Sequence, residues 1–138
     1  MGTLTKNFSV SEFQCKCCGC FIPNQKLIDS LQELRDLVGV PITVNSGYRC
    51  LTHNRRVRGS NNSQHRKGAA ADIVIEGMTP LEMYAYALEI PTFRQGGIGV
   101  YPGQGFIHVD VRGYPARWGK VDGKFVDINE ILKTNEGD

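Results

Sequence analysis

The sequence predicts an α+β fold in a single small domain, with a central, mainly antiparallel β-sheet and helices that flank it. The length of 138 residues lies in the usual range for one domain that buries its own core. Apolar residues recur at helical spacing over residues 23–38. Two β-rich runs, 97–101 and 106–111, are joined by four residues rich in turn formers, a pattern typical of antiparallel strands.

Helices are predicted from periodicity and from end signals. The longest covers residues 23–38, with a proline in its first turn and a glycine directly after its end. A second helix begins at Pro80, because Thr79 and Glu82 form a capping box there, and it is expected to end near Glu89. Shorter helices are expected at residues 9–13, 52–57 and 127–133.

Strands are predicted where β-branched residues cluster. Residues 40–44 form the first run, which stops at a turn signal, and residues 70–75 form the second. On the last strand His108, Asp110 and Arg112 share one face, while the apolar residues between them share the other. We therefore expect a polar face that carries a site and an apolar face that covers the core.

The single domain is expected to span residues 1–138. Its core is predicted at about residues 8–118, with a C-terminal tail over 119–138 that frays from residue 134 onward. Residues 58–63 are predicted to form a polar loop. No apolar run is long enough to cross a bilayer, and the N-terminus lacks the features of a secretory signal, so any export is expected to use another route.

Positive charge is concentrated in one stretch, although the net charge is only +2. No acidic residue lies between Asp36 and Asp72. Six basic residues do lie there: Arg49, Arg55, Arg56, Arg58, Arg66 and Lys67. The stretch fits either the steering of an anionic polymer or carboxylate-bearing substrate, or a solvated basic face. Nucleic acid is not expected as a partner, because no aromatic residues are interleaved with the basic ones and no known reader motif is present.

The five cysteines leave three interpretations open. Cys15, Cys17, Cys18 and Cys20 crowd together, and Cys50 stands alone. The first four cysteines contain two CxxC spacings, which predict a structural metal ion in addition to any catalytic one. Four ligands this close in sequence would, however, surround one ion only with strain. A disulfide from this group to Cys50 is the alternative outside the cytosol, and free thiols are the alternative inside it.

Two histidines and one aspartate are the candidate metal ligands. His65 and Asp72 lie seven residues apart, and His108 lies on the last predicted strand. Two imidazoles and a carboxylate form a set that holds a catalytic zinc ion while one coordination position stays open for water. The chain has three histidines, so two in such settings predict a zinc hydrolase. We interpret the third, His53, as a surface or helix-capping residue.

Three ordered motifs carry a family resemblance. They are Ser46-Gly47-Tyr48-Arg49, then Ser63-Gln64-His65 with Gly68 and Ala70-Ala71-Asp72, then Phe106-Ile107-His108-Val109-Asp110-Val111-Arg112-Gly113. With these motifs the chain resembles the LAS-type zinc D-Ala-D-Ala carboxypeptidases and endopeptidases of peptidoglycan, whose fold the hedgehog signalling domain shares. The small bacterial and phage members look most similar, since their N-terminal segment resembles residues 8–15. The resemblance covers about residues 8–118.

The resemblance implies a role for each matching residue. One catalytic zinc ion would be held on the sheet by His65, Asp72 and His108. Arg49 matches the family's arginine beside the site, so we expect it to hold a substrate carboxylate or to polarise the scissile carbonyl. The alternative is an arginine that only braces the loop. Two further residues are expected to add polar contacts to the substrate: Ser46 and Gln64.

The general base departs from the family pattern. Several members carry an acidic residue shortly before the last zinc ligand, but here Gly105 stands three residues before His108 and residues 100–107 contain no acid. Asp110 is the nearest carboxylate, and side chains two residues apart on a strand lie roughly 6.6 to 7 Å apart. Asp110 is therefore predicted either to act as the general base or to orient His65 or His108 by a hydrogen bond.

These expectations together predict a monomeric zinc peptidase that cleaves an amide in the peptide stem or cross-link of bacterial peptidoglycan. One alternative is a zinc-bearing module of the same fold that binds cell wall or protein without cleaving it. A metal-dependent nuclease that uses the three histidines is the other, and the absence of a ββα-metal motif counts against it. The resemblance also implies that the protein is made in the cytoplasm and acts on the wall after release, as a phage lysis or virion-associated enzyme.

Overall fold

A six-stranded sheet organises the computed structural model, which describes residues 4–57, 59 and 63–136, with side chains up to residue 133. The strands are β1 (Ile42–Ser46), β2 (Ala70–Ile75), β3 (Gly97–Tyr101), β4 (Phe106–Asp110), β5 (Ala116–Val121) and β6 (Lys124–Val126). The α-helices are α1 (Gln25–Val38), α2 (Leu51–Arg56), α3 (Pro80–Ala87), α4 (Pro91–Arg94) and α5 (Ile128–Glu136). Short 3-10 helices cover Val10–Glu12 and Gln64–Lys67. Most of the predicted polar loop, at positions 58 and 60–62, lies outside the described residues.

The strands follow the order β1-β2-β4-β3-β5-β6 across the sheet. Each neighbouring pair is antiparallel except β3 and β5, which run parallel. The predicted α+β class with a mainly antiparallel sheet is therefore confirmed. The sequence did not predict β5 and β6, because these strands carry charged residues and glycine in place of the apolar alternation that marks a half-buried strand.

The strand register aligns polar residues in one row across the sheet. Asp72 of β2 pairs with Ser46 of β1 on one side and with His108 of β4 on the other. His108 pairs in turn with Gly99 of β3, which pairs with Trp118 of β5. Paired residues on neighbouring strands place their side chains on the same face. Two of the predicted metal ligands are therefore direct neighbours.

The opposite face of the sheet is apolar. Ile107 and Val109, which alternate with His108 along β4, are fully buried in the hydrophobic core. Helix α1 covers this core with four buried side chains: Leu27, Ile28, Leu31 and Leu34. The Asn24 side chain caps the helix by accepting a hydrogen bond from the Leu27 backbone at 3.0 Å, so α1 begins two residues after the predicted start. No helix in the described part of the chain is long and apolar enough to cross a membrane.

The predicted end of the second helix is wrong by two residues. The capping box of α3 forms as expected, but the helix ends at Ala87 and a separate short helix, α4, begins at Pro91. Between them the Glu89 and Ile90 backbones close tight turns, and Ile90 is buried in the core. Burial of this side chain redirects the chain, and proline suits the first position of the new helix.

The C-terminal segment packs on the same sheet. Strand β6 pairs with β5, and Ile128 and Ile131 of α5 are buried in the core. Gly119 of β5 leaves space that Ile131 fills, since a Cβ there would collide with this side chain. Helix α5 extends three residues past its predicted end at residue 133, and residues 137 and 138 lie outside the described part. The predicted boundary between core and tail at residue 118 stays a prediction.

Candidate metal centre

The three predicted metal ligands converge on one point. One ligand atom from each of His65, Asp72 and His108 lies within 4.8 Å of the other two. The Nε2 atom of His65 is 3.2 Å, and the Nδ1 atom of His108 is 3.3 Å, from the same carboxylate oxygen, Oδ1 of Asp72. All three side chains are buried. The fold therefore brings together the two histidines and the aspartate that the sequence motifs singled out.

The local backbone around His65 fixes the orientation of its ring. His65 lies in the 3-10 helix that Ser63 caps, and Gly68 ends this helix in the left-handed conformation with φ of 71°. The ring donates from Nδ1 to the Gly47 carbonyl oxygen at 2.7 Å. A carbonyl oxygen only accepts hydrogen bonds, so the proton stays on Nδ1 and the lone pair of Nε2 faces Asp72.

Asp110 holds His108 from the opposite side of its ring. Its Oδ2 atom accepts a hydrogen bond from His108 Nε2 at 2.7 Å and another from Arg112 Nη2 at 2.7 Å. Its Oδ1 atom accepts from the Gly97 backbone at 2.8 Å, and the residue is fully buried. The bond to His108 is the contact that the orienting role requires. A general-base role would require Asp110 to leave these partners, so the geometry favours orientation.

Burial and hydrogen bonds set the charges of the three candidate ligands. Burial lowers the pKa of His65, which keeps the imidazole in the neutral form that binds metals. Burial alone would raise the pKa of Asp72, but its contacts with His108 and His65 outweigh this effect and hold that pKa below its usual range. Burial alone would lower the pKa of His108, but hydrogen bonds to Asp110 and Asp72 outweigh it and raise the pKa. A metal ion would therefore compete with a proton for His108.

Arg49 lies directly beside this group. Its Nη2 atom donates to Asp72 Oδ2 at 3.0 Å, and its Nε atom donates to the Ser46 hydroxyl at 3.2 Å. Arg49 and Gln64 both line the cleft above the three candidate ligands, whereas Ser46 is not among the described residues that line it. Ser46 thus braces the Arg49 guanidinium, and its predicted contact with the substrate stays a prediction.

The cleft has a volume of about 760 Å³. Its wall includes three residues of the family motifs, Ser63, Phe106 and Arg112. It also includes residues that were not predicted to belong to a site: Val57, Gly59, Tyr101, Gln104, Tyr114, Trp118, Lys120 and Phe125. The Trp118 ring lies 5.0 Å from the His108 ring, and its Nε1 atom donates to the Tyr101 hydroxyl at 3.0 Å. Gly99 provides the space, since a Cβ there would collide with the indole. The sequence contained one signal for this wall, namely that Trp118 is the single tryptophan of the chain.

Most of the positive charge around the cleft comes from residues outside the predicted basic stretch. Among the described residues of that stretch, Arg49 is the one that lines the cleft, and Arg58 lies outside the described part. Two further cations line the cleft, Arg112 directly after β4 and Lys120 on β5. Asp72 is the single acid among the described residues of the wall. The cleft is therefore suited to an anionic ligand, while steering by the whole stretch stays a prediction.

The donor set suits a zinc ion. Zn²⁺ is commonly bound by imidazole nitrogens and carboxylate oxygens, and catalytic zinc sites keep three protein ligands. Metal-binding histidines usually donate their second ring nitrogen to a carbonyl or carboxylate. His65 does so to Gly47 and His108 does so to Asp110. Both the ligand atoms and the groups behind them therefore fit this metal.

The chain is similar to a known family of peptidases. The Peptidase M15 family matches residues 6–110, a span that contains all three candidate ligands. Peptidoglycan L,D-endopeptidase MepK of Escherichia coli (strain K12) is 37% identical over 98 residues, which cover 66% of this chain and 51% of that protein. A probable peptidoglycan L,D-endopeptidase MepK of Haemophilus influenzae is 37% identical over 86 residues, 59% of this chain and 45% of that protein.

A shorter similarity involves a second kind of peptidase. Zinc D-Ala-D-Ala carboxypeptidase of Streptomyces albus G is 50% identical over 44 residues, which cover 31% of this chain and 17% of that protein. The chain spans about half the length of the MepK proteins that it matches. The family match covers most of the chain and includes the residues that the fold brings together at the cleft. The chain belongs to the Peptidase M15 family.

Proposed function

We propose that this protein is a zinc-dependent peptidase that hydrolyses an amide bond in the peptide stem or cross-link of bacterial peptidoglycan. The observation that carries the proposal is the convergence of His65, Asp72 and His108 beside the Arg49 guanidinium in one cleft. The names of the similar proteins support peptidoglycan as the substrate. A bound zinc ion would supply Lewis acidity, which polarises a carbonyl and makes water a nucleophile at neutral pH.

Arg49 is proposed to bind the negatively charged part of the substrate. A guanidinium is always charged and offers several donors in one plane, which suits a carboxylate or a developing oxyanion. Its contacts to Asp72 and Ser46 hold two of its nitrogens in place. The side chain is therefore positioned before the substrate arrives, and less entropy is lost on binding.

Asp110 is proposed as a positioning residue. It accepts the Nε2 proton of His108, which leaves Nδ1 as the nitrogen directed at Asp72. Arg112 and the Gly97 backbone hold the carboxylate in this place. Burial alone would raise the pKa of Asp110, but its hydrogen bonds to His108 and Arg112 outweigh this effect and hold the pKa below its usual range. Asp110 thus stays ionised and keeps His108 in one tautomer.

Tyr101 and Trp118 are proposed to form the aromatic wall against which the substrate lies. Burial raises the pKa of the Tyr101 phenol, so this group keeps its proton at neutral pH. Its oxygen accepts from Trp118, and its own proton is then directed to another acceptor. The cleft contains both residues, so a substrate carbonyl is a suitable acceptor. The indole also shields His108 from water.

Incubation of the zinc-loaded protein with purified peptidoglycan tests the proposal. New amine termini are expected, and mass spectrometry of the released peptides identifies whether an L,D-bond, a D-Ala-D-Ala bond or another bond is cut. Absence of any new terminus from the zinc-loaded, folded protein would reject the peptidase and leave the non-catalytic wall-binding module. Action on the wall after release from the cytoplasm, as in phage lysis, and the monomeric state both stay predictions.

The substitution Arg49→Lys tests the proposed substrate contact. Lysine keeps the charge but loses the planar fork, so we expect hydrolysis to slow by about 100-fold, the scale of one lost oxyanion donor. Arg55→Lys is the matched control, because Arg55 is exposed on α2 and lies outside the described wall of the cleft. Equal rates for Arg49→Lys and the wild type would leave Arg49 with a bracing role only.

A further inference from the structure

We propose a second metal site, formed by the thiolates of Cys15, Cys18 and Cys50, that binds a thiophilic divalent ion such as Zn²⁺ and has a structural role. One sulfur from each residue lies within 4.8 Å of the other two. The ligands come from two separate segments, the N-terminal segment and the residue that precedes α2. Structural zinc sites usually take their ligands from two such places, so Cys50 removes the strain expected for the crowded cysteines alone.

The backbone of the N-terminal segment is folded in a way that suits metal ligation. The Cys15 backbone donates to the Cys20 carbonyl at 2.7 Å, and the Gly19 backbone donates to the Cys15 carbonyl at 2.9 Å. Gly19 adopts a φ of 75°, which glycine tolerates without strain. This tight turn directs Cys18 back over Cys15, so both sulfurs of the CxxC pair face the same point.

Backbone donors already point at two of the three sulfurs. The Cys50 backbone donates to Cys15 Sγ at 3.4 Å, and the His53 backbone donates to Cys50 Sγ at 3.4 Å. Such bonds stabilise the charged thiolate more than the neutral thiol, because the thiolate is the stronger acceptor. The thiolate is also the form that binds metals. These backbone donors therefore favour the metal-binding form of Cys15 and Cys50 before an ion binds.

The surroundings complete and neutralise the proposed site. Three thiolates around a divalent ion carry one net negative charge, and the Arg56 guanidinium lies 3.7 Å from Cys17 Sγ at the edge of the cluster. Of the three proposed ligands, Cys15 is buried, Cys50 is half-buried and Cys18 is exposed. The two remaining cysteines, Cys17 and Cys20, are also exposed. Either can supply the fourth ligand of a tetrahedral ion. All five cysteines are free thiols in the structure, so no disulfide competes for these sulfurs.

The expected role is to attach the N-terminal segment to the loop that carries Arg49. The two segments already meet, since the Tyr48 backbone donates to the Phe13 carbonyl at 2.9 Å. Gly47 allows this approach, because a Cβ at that position would collide with the Phe13 backbone. A metal ion held by both segments would add a bond of much greater strength than these contacts.

Metal analysis of the full chain tests the proposal. The reduced wild type is expected to bind about two zinc ions per chain, one at each cluster. The double variant Cys15→Ser/Cys50→Ser should lose one ion, while His65→Ala/His108→Ala should lose the other and keep the thiolate-bound ion. The variant His53→Ala is the matched control for the cysteine variant, because the bond from His53 to Cys50 is made by its backbone and survives the substitution. This control should retain both ions.

Cobalt substitution provides a readout that is independent of both activity and folding of the cysteine variant. Co²⁺ bound to thiolates gives a near-ultraviolet sulfur-to-cobalt charge-transfer band, which we expect in the wild type and in the His65→Ala/His108→Ala variant. Absence of this band in both proteins would overturn the proposal, and so would a disulfide to Cys50 in protein purified with zinc. Failure of the proposed peptidase leaves these outcomes unchanged, so the two proposals are tested separately.

Discussion

Replacement of Asp110 by asparagine is expected to reverse the tautomer of His108. Three donors surround the Oδ1 position, namely the Gly97 backbone at 2.8 Å and the Arg112 backbone and Nε at 3.1 and 3.0 Å. The asparagine oxygen should therefore occupy this position, and its amide NH₂ group should face His108 Nε2. Two donors cannot face each other, so the His108 proton moves to Nδ1 and removes the lone pair directed at Asp72.

The expected loss of zinc affinity follows from the two groups that change at the metal centre, the partner behind His108 and the His108 ligand atom itself. Loss of a partner behind a metal ligand typically costs about 10- to 100-fold in metal affinity, or about 1.4 to 2.8 kcal/mol. Here one of three ligand atoms is also blocked by a proton, so we expect a loss of at least about 100-fold. The substitution also weakens a buried ion pair with Arg112, and we expect the unfolding free energy of the metal-free protein to fall by about 1 to 3 kcal/mol.

In proteins that also carry Cys15→Ser and Cys50→Ser, zinc competition against a chelating indicator measures the affinity of this centre alone. Circular dichroism shows whether the variant is folded under the same conditions. The matched control is Asp29→Asn, because Asp29 is exposed on α1 and bonds to Gln25 of its own helix. The control should bind zinc as the wild type does. A folded Asp110→Asn protein with wild-type zinc affinity would refute both the tautomer argument and the positioning role.

Three further changes test the fold and the charge of the site. Gly99→Ala should lower the unfolding free energy by about 1 to 3 kcal/mol in urea denaturation, because the new Cβ collides with Trp118, whereas Gly103→Ala meets nothing within 4 Å and should be neutral. Leu31→Ala should cost about 2 to 5 kcal/mol in the same assay, because Leu31 is fully buried; an unchanged midpoint would contradict its place in the core. Zinc affinity should fall about tenfold per pH unit below the raised pKa of His108, because the protonated form prevails there and the ion must displace that proton. A titration that stays flat from neutral to mildly acidic pH would contradict this coupling.

Local patterns were sufficient to predict the elements that carry the metal centre. The alternation along β4 placed His108 and Asp110 on one face, and the structure has them in direct contact. The turn before β4 indicated an antiparallel hairpin, and the register of β3 and β4 agrees. Because side chains alternate strictly along a strand, a short motif determines which residues share a face. The sequence motif identified both His65 and Asp72, and the fold brings Asp72 of β2 beside His65.

These sequence patterns could not predict contacts between distant segments of the chain. Trp118 reaches His108 because β5 runs parallel to β3, and nothing in residues 116–121 specifies that neighbour. The position of Cys50 beside Cys15 likewise depends on how the loop after β1 meets the N-terminal segment. The role of Asp110 is determined by Arg112 and by a backbone donor on another strand. Strand order and packing decide such contacts, and the periodicity of one segment does not specify which distant segment lies beside it.

The loop at residues 47–50 connects the metal centre to the cysteine cluster through hydrogen bonds of its backbone. The Gly47 carbonyl accepts from the His65 ring at 2.7 Å, and the Arg49 backbone donates to the His65 carbonyl at 3.0 Å. Directly beyond Arg49, the Cys50 backbone donates to Cys15 Sγ. One short loop therefore orients a candidate zinc ligand, presents the guanidinium and supplies one sulfur of the cysteine cluster. Because Arg49 and Cys50 are adjacent in the chain, we expect displacement of Cys50 to shift Arg49 relative to His65. Metal at the cysteine cluster would thus stabilise the geometry of the cleft without taking part in its chemistry.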